Sequence, residues 1–332
     1  MRIWLVGFGT VGRWLARALD SQAAPLAHRY GVRVTVVAVA NARDGFIYDA
    51  EGLDLTSLLQ GGSLADAPGV RHWPSAIDGL RATEADLLVE VTASPSSDGE
   101  PGYAHMREAL GRGIPVVTSN KWPVALHGVE LAELARERGV PFRAESTVMS
   151  GTPVLSTLVE GLAGAVPLGL RGILNATVNF ILTRMAQGAS YQDALEEAQA
   201  EGLAERDPAA DVEGHDAVAK VMILSALVFG RQLRREQVAC RGITAVASGA
   251  ERLKHVATLD FSGPDVVARV QPASLPPDDP LASIDGTANA IVCRADPLGE
   301  IAVVGPGAGP ELAGQGVLSD LIAVARSRHL GS

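Results

Sequence analysis

Short apolar runs alternate with helix-period patterns through the first 150 residues. Residues 2–6, 32–40, 86–91, 114–118 and 140–145 read as strands, with helices over 11–20, 101–112 and 123–138. The strands are nearly continuous in Val, Ile and Leu rather than alternating. That is the mark of a parallel sheet covered by helices on both faces. After about residue 150 the pattern changes. Two helical segments, 190–201 and 216–229, stand among strand-like pieces at 168–174, 266–271 and 290–295. Ser190 and Asp193 have capping-box spacing, Gly230 stops the second helix, and Pro276-Pro277 marks a turn. A strand at 300–304, a Gly-rich turn from Gly305 to Gly309 and a helix over 312–328 then return to the α/β style. The expected organisation is a parallel-sheet domain over 1–150, completed by 300–332, and an α+β domain over 151–299.

The 332 residues suit two domains of roughly 150 each. A balance of 28 basic against 38 acidic residues, net −10, argues against non-specific nucleic-acid or anionic-membrane partners. No run approaches the ~18 apolar residues of a membrane span. Arg2, an apolar stretch and Ala16-Arg17-Ala18 mimic a secretory leader, but Gly7, Gly9 and Gly12 interrupt the stretch and Arg13 follows closely. Two cysteines, Cys240 and Cys293, exclude a disulfide framework and suit a reducing cytoplasm, the expected location. The basic residues divide into 25 Arg and 3 Lys: Lys121, Lys220 and Lys254. Where Arg serves as the general cation, a retained Lys is a candidate for proton transfer, which a guanidinium cannot perform near neutral pH.

Gly7-Phe8-Gly9-Thr10-Val11-Gly12 is a G-x-G-x-x-G motif between a strand and a helix. There it permits a tight turn and brings a pyrophosphate onto a helix N-terminus, predicting a Rossmann-type dinucleotide site. A methyltransferase-type nucleotide site is the alternative. The acid that usually ends the second strand is replaced by Asn41, with Arg43 two residues on. This pair tilts the cofactor toward NADP over NAD, unless Arg43 merely points to solvent. Thr92-Ala93-Ser94 and Ser119-Asn120-Lys121 follow two further strands, at the ends where open α/β sheets bind ligands. Lys121 there is either at a reacting centre or bridged to a neighbouring carboxylate.

The densest cluster spans 205–220. Asp207-Pro208 breaks the preceding helix, so Glu205 and Asp207 sit on a loop; Asp211 follows, and Asp216 and Lys220 share a face of the next helix. That helix is apolar nearly all round beyond Lys220, so it is buried. A Lys at its mouth, ringed by carboxylates, suits a general acid; a helix-start ion pair is the plainer reading. His215 reads as a helix-start residue.

These residues resemble homoserine dehydrogenase, over nearly the whole chain and in the form without a C-terminal regulatory domain. The resemblance is carried by the Gly motif, Val117-Thr118-Ser119-Asn120-Lys121, Met149-Ser150-Gly151-Thr152-Pro153, Gly172-Ile173-Leu174-Asn175, Asn179-Phe180-Ile181-Leu182 and Gly305 to Gly309. Its most specific piece is E-x-D-P-x-x-D-V-x-G-x-D-A-x-x-K, ungapped from Glu205 to Lys220. It implies NAD(P)-dependent interconversion of L-homoserine and L-aspartate 4-semialdehyde, toward threonine and methionine. Lys220 would carry the proton, with Lys121 a second lysine at the centre. Glu205, Asp216, Asp211 and Thr177 would hold substrate. The N-terminal turn, Asn41, Arg43, Thr92, Ser94, Lys121, Gly202 and Gly309 would line the cofactor. A sodium ion would sit on a loop of Glu145, Val148, Ser150 and Thr152, and the second domain would form a homodimer and hold substrate. Cooperative inhibition by threonine is not expected. Leu203, where the family often has Tyr, and Ala176 and Val178 depart from its pattern. They leave open a dehydrogenase of another small amino-aldehyde; a non-catalytic NADP-binding redox sensor is a further alternative.

Overall fold

The structure, a computed structural model, describes residues 1–61, 63–67, 69–246, 253–263 and 265–329. Residues 330–332, expected to complete the first domain, lie outside that set. The chain divides into two compact units: Met1–Gly151 with the tail from Gly309, and Thr152–Ala308.

The first unit holds β1 (Arg2–Val6), β2 (Thr35–Asn41), β3 (Gly45–Tyr48), β4 (Arg71–Trp73), β5 (Leu87–Glu90), β6 (Val116–Thr118) and β7 (Phe142–Arg143). Their order is β4-β3-β2-β1-β5-β6-β7. β2, β1, β5, β6 and β7 are parallel, and β3 and β4 extend the sheet antiparallel. The chain steps outward from β1 to β2 and returns on the other side of β1 as β5. That reversal opens a crevice at the carboxyl ends of the strands. Alternate residues of β1 feed two cores. Ile3 and Leu5 meet Leu15 and Leu19 of helix Thr10–Ser21 and Val317 and Leu321 of helix Pro310–His329. Trp4 and Val6 meet Leu80, Met106, Leu110 and Leu131 from helices Ala76–Ala82, Gly102–Gly111 and Lys121–Arg138. With both faces covered, no polar alternation survives in the strand sequences.

The second unit holds β8 (Val166–Ile173), β9 (Ala239–Cys240), β10 (Leu253–Asp260), β11 (Val267–Ser274), β12 (Ala288–Asp296) and β13 (Gly299–Pro306), in the order β13-β12-β8-β10-β11-β9. Helices Ala176–Ala186 and His215–Phe229 pack on this sheet. The tail expected to leave at residue 300 leaves instead at Gly309. β13 pairs antiparallel with β12 from Ala295↔Gly299 to Ala288↔Pro306, a hairpin with Asp296, Pro297 and Leu298 between the last paired residues, and it keeps the strand in the second sheet. Among the described residues, no helix is long and apolar enough to cross a membrane.

β10 carries the third lysine. Lys254 is buried, and its Nζ donates to Ile284 O at 2.5 Å and Asp285 Oδ1 at 2.6 Å. This is a structural tie between β10 and the loop before β12. Lys254→Ala should lower stability by about 1–3 kcal/mol, since it leaves a carbonyl short of a donor and removes buried methylenes. Turnover per folded molecule should stay within twofold, as chemical denaturation and an activity assay on the same sample will show.

Candidate functional site

In the first unit, the turn after β1 is shaped for close backbone approach. Gly7 has φ +108, and a Cβ there would lie 2.5 Å from the Val91 carbonyl carbon. At Gly12 a Cβ would lie 2.0 Å from Gly7 O, whereas at Gly9 it would meet nothing within 4 Å. Helix Thr10–Ser21, opened by Thr10 and Val11, starts at Gly9 with no capping side chain and no acidic residue in its first turn. Its leading N–H groups and dipole therefore suit an anion such as a pyrophosphate. The residues present fit a dinucleotide.

Asn41, at the end of β2, spends its side chain locally. Its Oδ1 accepts from the backbone N–H of Arg43 at 2.9 Å and of Asp44 at 2.6 Å, while Nδ2 donates to Asp44 Oδ2 at 2.9 Å. Ser63 Oγ donates to Asp44 Oδ1 at 2.8 Å. These two donors hold the Asp44 carboxyl below its ordinary value. An acid thus does stand near the strand end, three residues past the position where it was sought, but its oxygens are tied down. The Arg43 side chain is 85% exposed and meets Asp44 only at 3.7 Å.

Thr92 and Ser94 follow β5, and half-buried Lys121 opens helix Lys121–Arg138 after β6. Asn120 joins the two strand ends, its Nδ2 donating toward Glu90 Oε2 (3.1 Å), Thr92 Oγ1 (3.1 Å) and Ser94 Oγ (2.8 Å). Glu90 was not singled out in the sequence, and Asn120 was quoted there only as part of a motif, without a role. A carboxylate closing the apolar run Leu87-Leu88-Val89 was the available signal. Gly309, with φ +132, leads into helix Pro310–His329.

Glu145 and Ser150 flank the one-turn helix Ser146–Met149, which contains Val148, and Ser150 has φ +50. Thr152 belongs to the second unit, where its Oγ1 donates to Pro306 O at 2.9 Å. Among the described residues, no group of three or more His, Cys, Asp or Glu is placed to hold a metal ion. Asp320 Oδ2 accepts from Glu145 N at 2.9 Å. Burial, aided by the Glu145 charge, pushes the Asp320 carboxyl up to about 7. The folded state thus binds this proton more tightly than the unfolded chain. The stabilisation is complete below the ordinary carboxyl range and is lost as pH rises through about 7. Asp320→Asn should therefore raise the thermal midpoint at pH 8 more than at pH 5, in melts at matched ionic strength.

In the second unit, Lys220 and Asp216 lie on one face of helix His215–Phe229. The Lys220 side chain is 8% exposed; its Nζ lies 2.9 Å from Asp216 Oδ2 and donates to Leu174 O at 2.5 Å. Asn175 bridges the acids, its Nδ2 donating to Asp211 Oδ1 at 2.7 Å and Asp216 Oδ2 at 3.0 Å. Its Oδ1 caps helix Ala176–Ala186 through Val178 N at 2.9 Å, fixing the amide's orientation. The sequence quoted Asn175 without giving it a role. Thr177 Oγ1 donates to Leu203 O at 2.7 Å. Gly202 is exposed with φ +72. Glu205 is exposed, and among the described residues its carboxylate has no partner; its carbonyl accepts from Gln199 Nε2 at 3.0 Å. The structure therefore gathers Lys220, Asp216 and Asp211 but ties neither Glu205 nor Gly202 to them. His215 is held between Arg235 at 2.8 Å and Glu213 at 3.0 Å, a helix-start arrangement.

The chain matches the family model "Homoserine dehydrogenase, NAD binding domain" over residues 7–145 and "Homoserine dehydrogenase" over 153–322. It is 38% identical over 345 residues to the NAD(+)-dependent homoserine dehydrogenase of Pseudomonas canavaninivorans, covering 98% of this chain and 96% of that one. Identity to the homoserine dehydrogenase of Methanocaldococcus jannaschii is 37% over 336 residues, covering 98% and 99%. A hyperthermophilic archaeal homoserine dehydrogenase solved in complex with NADPH superposes with TM-score 0.84 at 33% identity, covering 98% of each chain. The enzyme from Thermoplasma acidophilum gives 0.81 at 27%, covering 98% and 99%. With both halves matched and relatives this similar over its length, the chain belongs to the homoserine dehydrogenase family.

Proposed function

We propose that this chain is an oxidoreductase interconverting L-homoserine and L-aspartate 4-semialdehyde with a nicotinamide cofactor, in the route to threonine and methionine. The observation that carries the reading is the buried Lys220 ammonium, held by Asp216 and the Leu174 carbonyl beside Asn175 and Asp211. The nicotinamide, when bound, gives or takes the hydride. Hydride addition to an aldehyde carbon leaves an alkoxide, and a nearby ammonium supplies its proton; alcohol oxidation returns that proton to the lysine. Lys220 is the proposed carrier, and Asp216 keeps its ammonium in place. Asp211 and Asp216 offer negative charge for the substrate ammonium, with exposed Glu205 as a further contact and Thr177 holding the loop at Leu203. In the first unit, Gly7, Gly9, Thr10, Val11 and Gly12 would cradle the pyrophosphate. Thr92, Ser94 and Lys121 would stand at the nicotinamide end, and Gly202 and Gly309 would line the cofactor. A redox sensor would leave the Lys220 cluster without work. Oxidation of NADPH by aspartate 4-semialdehyde, followed at the nicotinamide absorbance band, tests the reading; no turnover in either direction would overturn it. The Leu203 and Val178 departures lie in one apolar cluster, so packing occupies the place of a phenol there. Homoserine should accordingly outperform other small amino-alcohols in the same assay.

NADP(H) is the proposed preference. Asp44 is locked inward by Asn41 and Ser63, leaving exposed Arg43 to pair with a 2′-phosphate. The kcat/KM for NADPH should exceed that for NADH, and Arg43→Ala should weaken NADPH by roughly tenfold while sparing NADH. A preference for NADH in the parent enzyme would count against the assignment.

Three further expectations belong to this reading. Sodium would use the carbonyls of the loop bearing Glu145, Val148, Ser150 and Thr152, since a hard cation needs oxygen donors and not a particular side chain; replacing sodium by choline should lower activity. A homodimer would cover exposed Val166, Val267 and Val304 of the second sheet, and light scattering reads its mass. A cytoplasmic location is consistent with two free cysteines, and fractionation checks it.

A further inference from the structure

Glu90 ends β5 with its carboxylate wholly buried. A buried charge persists only where donors surround it, so each of its partners bears on what the residue does. Oε1 accepts from Thr92 through both its hydroxyl and its N–H, the latter at 3.3 Å. Oε2 accepts from Asn120 Nδ2 at 3.1 Å. His105, on helix Gly102–Gly111 and also buried, brings Nδ1 to 3.5 Å from Oε1, and that nitrogen has no hydrogen-bond partner. The backbone is drawn in as well. Thr118 Oγ1 donates to Glu90 O at 2.8 Å and accepts from Asn120 N at 3.0 Å. Ser94 Oγ accepts from Asn120 Nδ2 and from Gly102 N at 3.2 Å. The fit is close: a Cβ on Gly102 would lie 2.5 Å from Asn120 Nδ2 and 2.9 Å from Ser94 Oγ.

This network joins the carboxyl ends of two adjacent parallel strands. One end carries Thr92 and Ser94, and the other carries Lys121 directly after Asn120. Asn120 opens the helix without capping it through its side chain, because that amide is turned to Glu90. A residue retained only to start a helix would cap it. We propose that Glu90 is a positioning residue for the dehydrogenase reaction: with His105 beside it, it fixes Thr92 and Asn120, and through Asn120 the placement of Lys121. The inference rests on the oxidoreductase reading above.

Glu90→Gln keeps the volume but turns one acceptor into a donor facing Asn120 or Thr92. The expected result is a kcat lowered at least tenfold and an NADPH Kd, from fluorescence quenching, raised severalfold. The homoserine KM should stay within about threefold, because the proposed substrate carboxylates lie in the other unit. Turnover is counted per NADPH-binding site, so loss of folded protein alone does not move it. Asn120→Ala should reproduce the split, and the double variant should be no worse than the poorer single, as two parts of one network require. If Glu90→Gln does not fold, His105→Gln reads the same split, with kcat lowered severalfold at unchanged homoserine KM. Normal kcat and NADPH Kd in the folded variants, or strictly multiplicative losses in the cycle, would overturn the proposal. A wild-type chain that binds NADPH but turns over no homoserine would overturn the functional reading and this inference together.

Discussion

Replacing Lys220 with arginine should lower kcat by ~10²–10⁴-fold, the usual worth of general acid–base catalysis. Arginine keeps the positive charge and can still pair with Asp216, but its guanidinium does not give up a proton near neutral pH. The site is confined: the Lys220 side chain is 8% exposed, and its ammonium lies 2.5 Å from Leu174 O. The larger head group should therefore also cost about 1–3 kcal/mol in packing. A lower thermal midpoint is expected under either reading and does not discriminate. The deciding quantity is kcat per NADPH-binding site, measured with the NADPH Kd. An ion-pair role predicts turnover within a few-fold of wild type, and that result would move the proton to Lys121. Loss of turnover at unchanged NADPH affinity would establish Lys220 as the proton carrier.

The argument from lysine scarcity fails for one of the three lysines. Lys254 is as buried as Lys220, yet it ties Ile284 and Asp285 to β10. Composition reports that a residue type is selected at a position, and structural burial selects it as readily as chemistry does. The position of Lys220 was legible because four-residue spacing puts it beside Asp216 whatever the rest of the chain does. What joins Asp211 to that pair was not legible: Asn175 lies 36 residues from Asp211 and is brought there by the turn out of β8.

The same distinction explains the fold. β1, β5 and β6 were readable because burial on both faces leaves an unbroken apolar run. β3 has four residues, too few to show a period, although all four are buried. β10 opens with Leu253-Lys254-His255, and the latter two look like surface residues while both are buried. Helix Ala176–Ala186 begins with Thr and Val close to its start and lacks a polar face to mark its period. Asn41 shows the limit for local chemistry. Reading it as the residue at the ribose position was reasonable, but its side chain is committed to Asp44, which spacing alone does not reveal.

Gly12→Ala should raise the NADPH Kd by ~10–100-fold, through the backbone and not through a lost contact. The added methyl would stand 2.0 Å from Gly7 O, well inside contact distance. Neither partner can yield freely. Gly7 N donates to Ala40 O at 2.9 Å at the end of β2, and its positive φ brings its own backbone against Val91. The helix must therefore lift away from the turn, moving the N–H groups that would meet the pyrophosphate. Misfits of one methyl in a packed region typically cost 1–3 kcal/mol, and here the strain falls on the binding geometry itself. Gly9→Ala is the control, because its Cβ meets nothing within 4 Å in the protein and would stand only in the way of the bound dinucleotide. Thermal midpoints separate the two. Gly12→Ala should lower the midpoint of the free protein, whereas Gly9→Ala should leave it near wild type while weakening NADPH. Unchanged NADPH affinity in Gly9→Ala would place the pyrophosphate somewhere other than this turn.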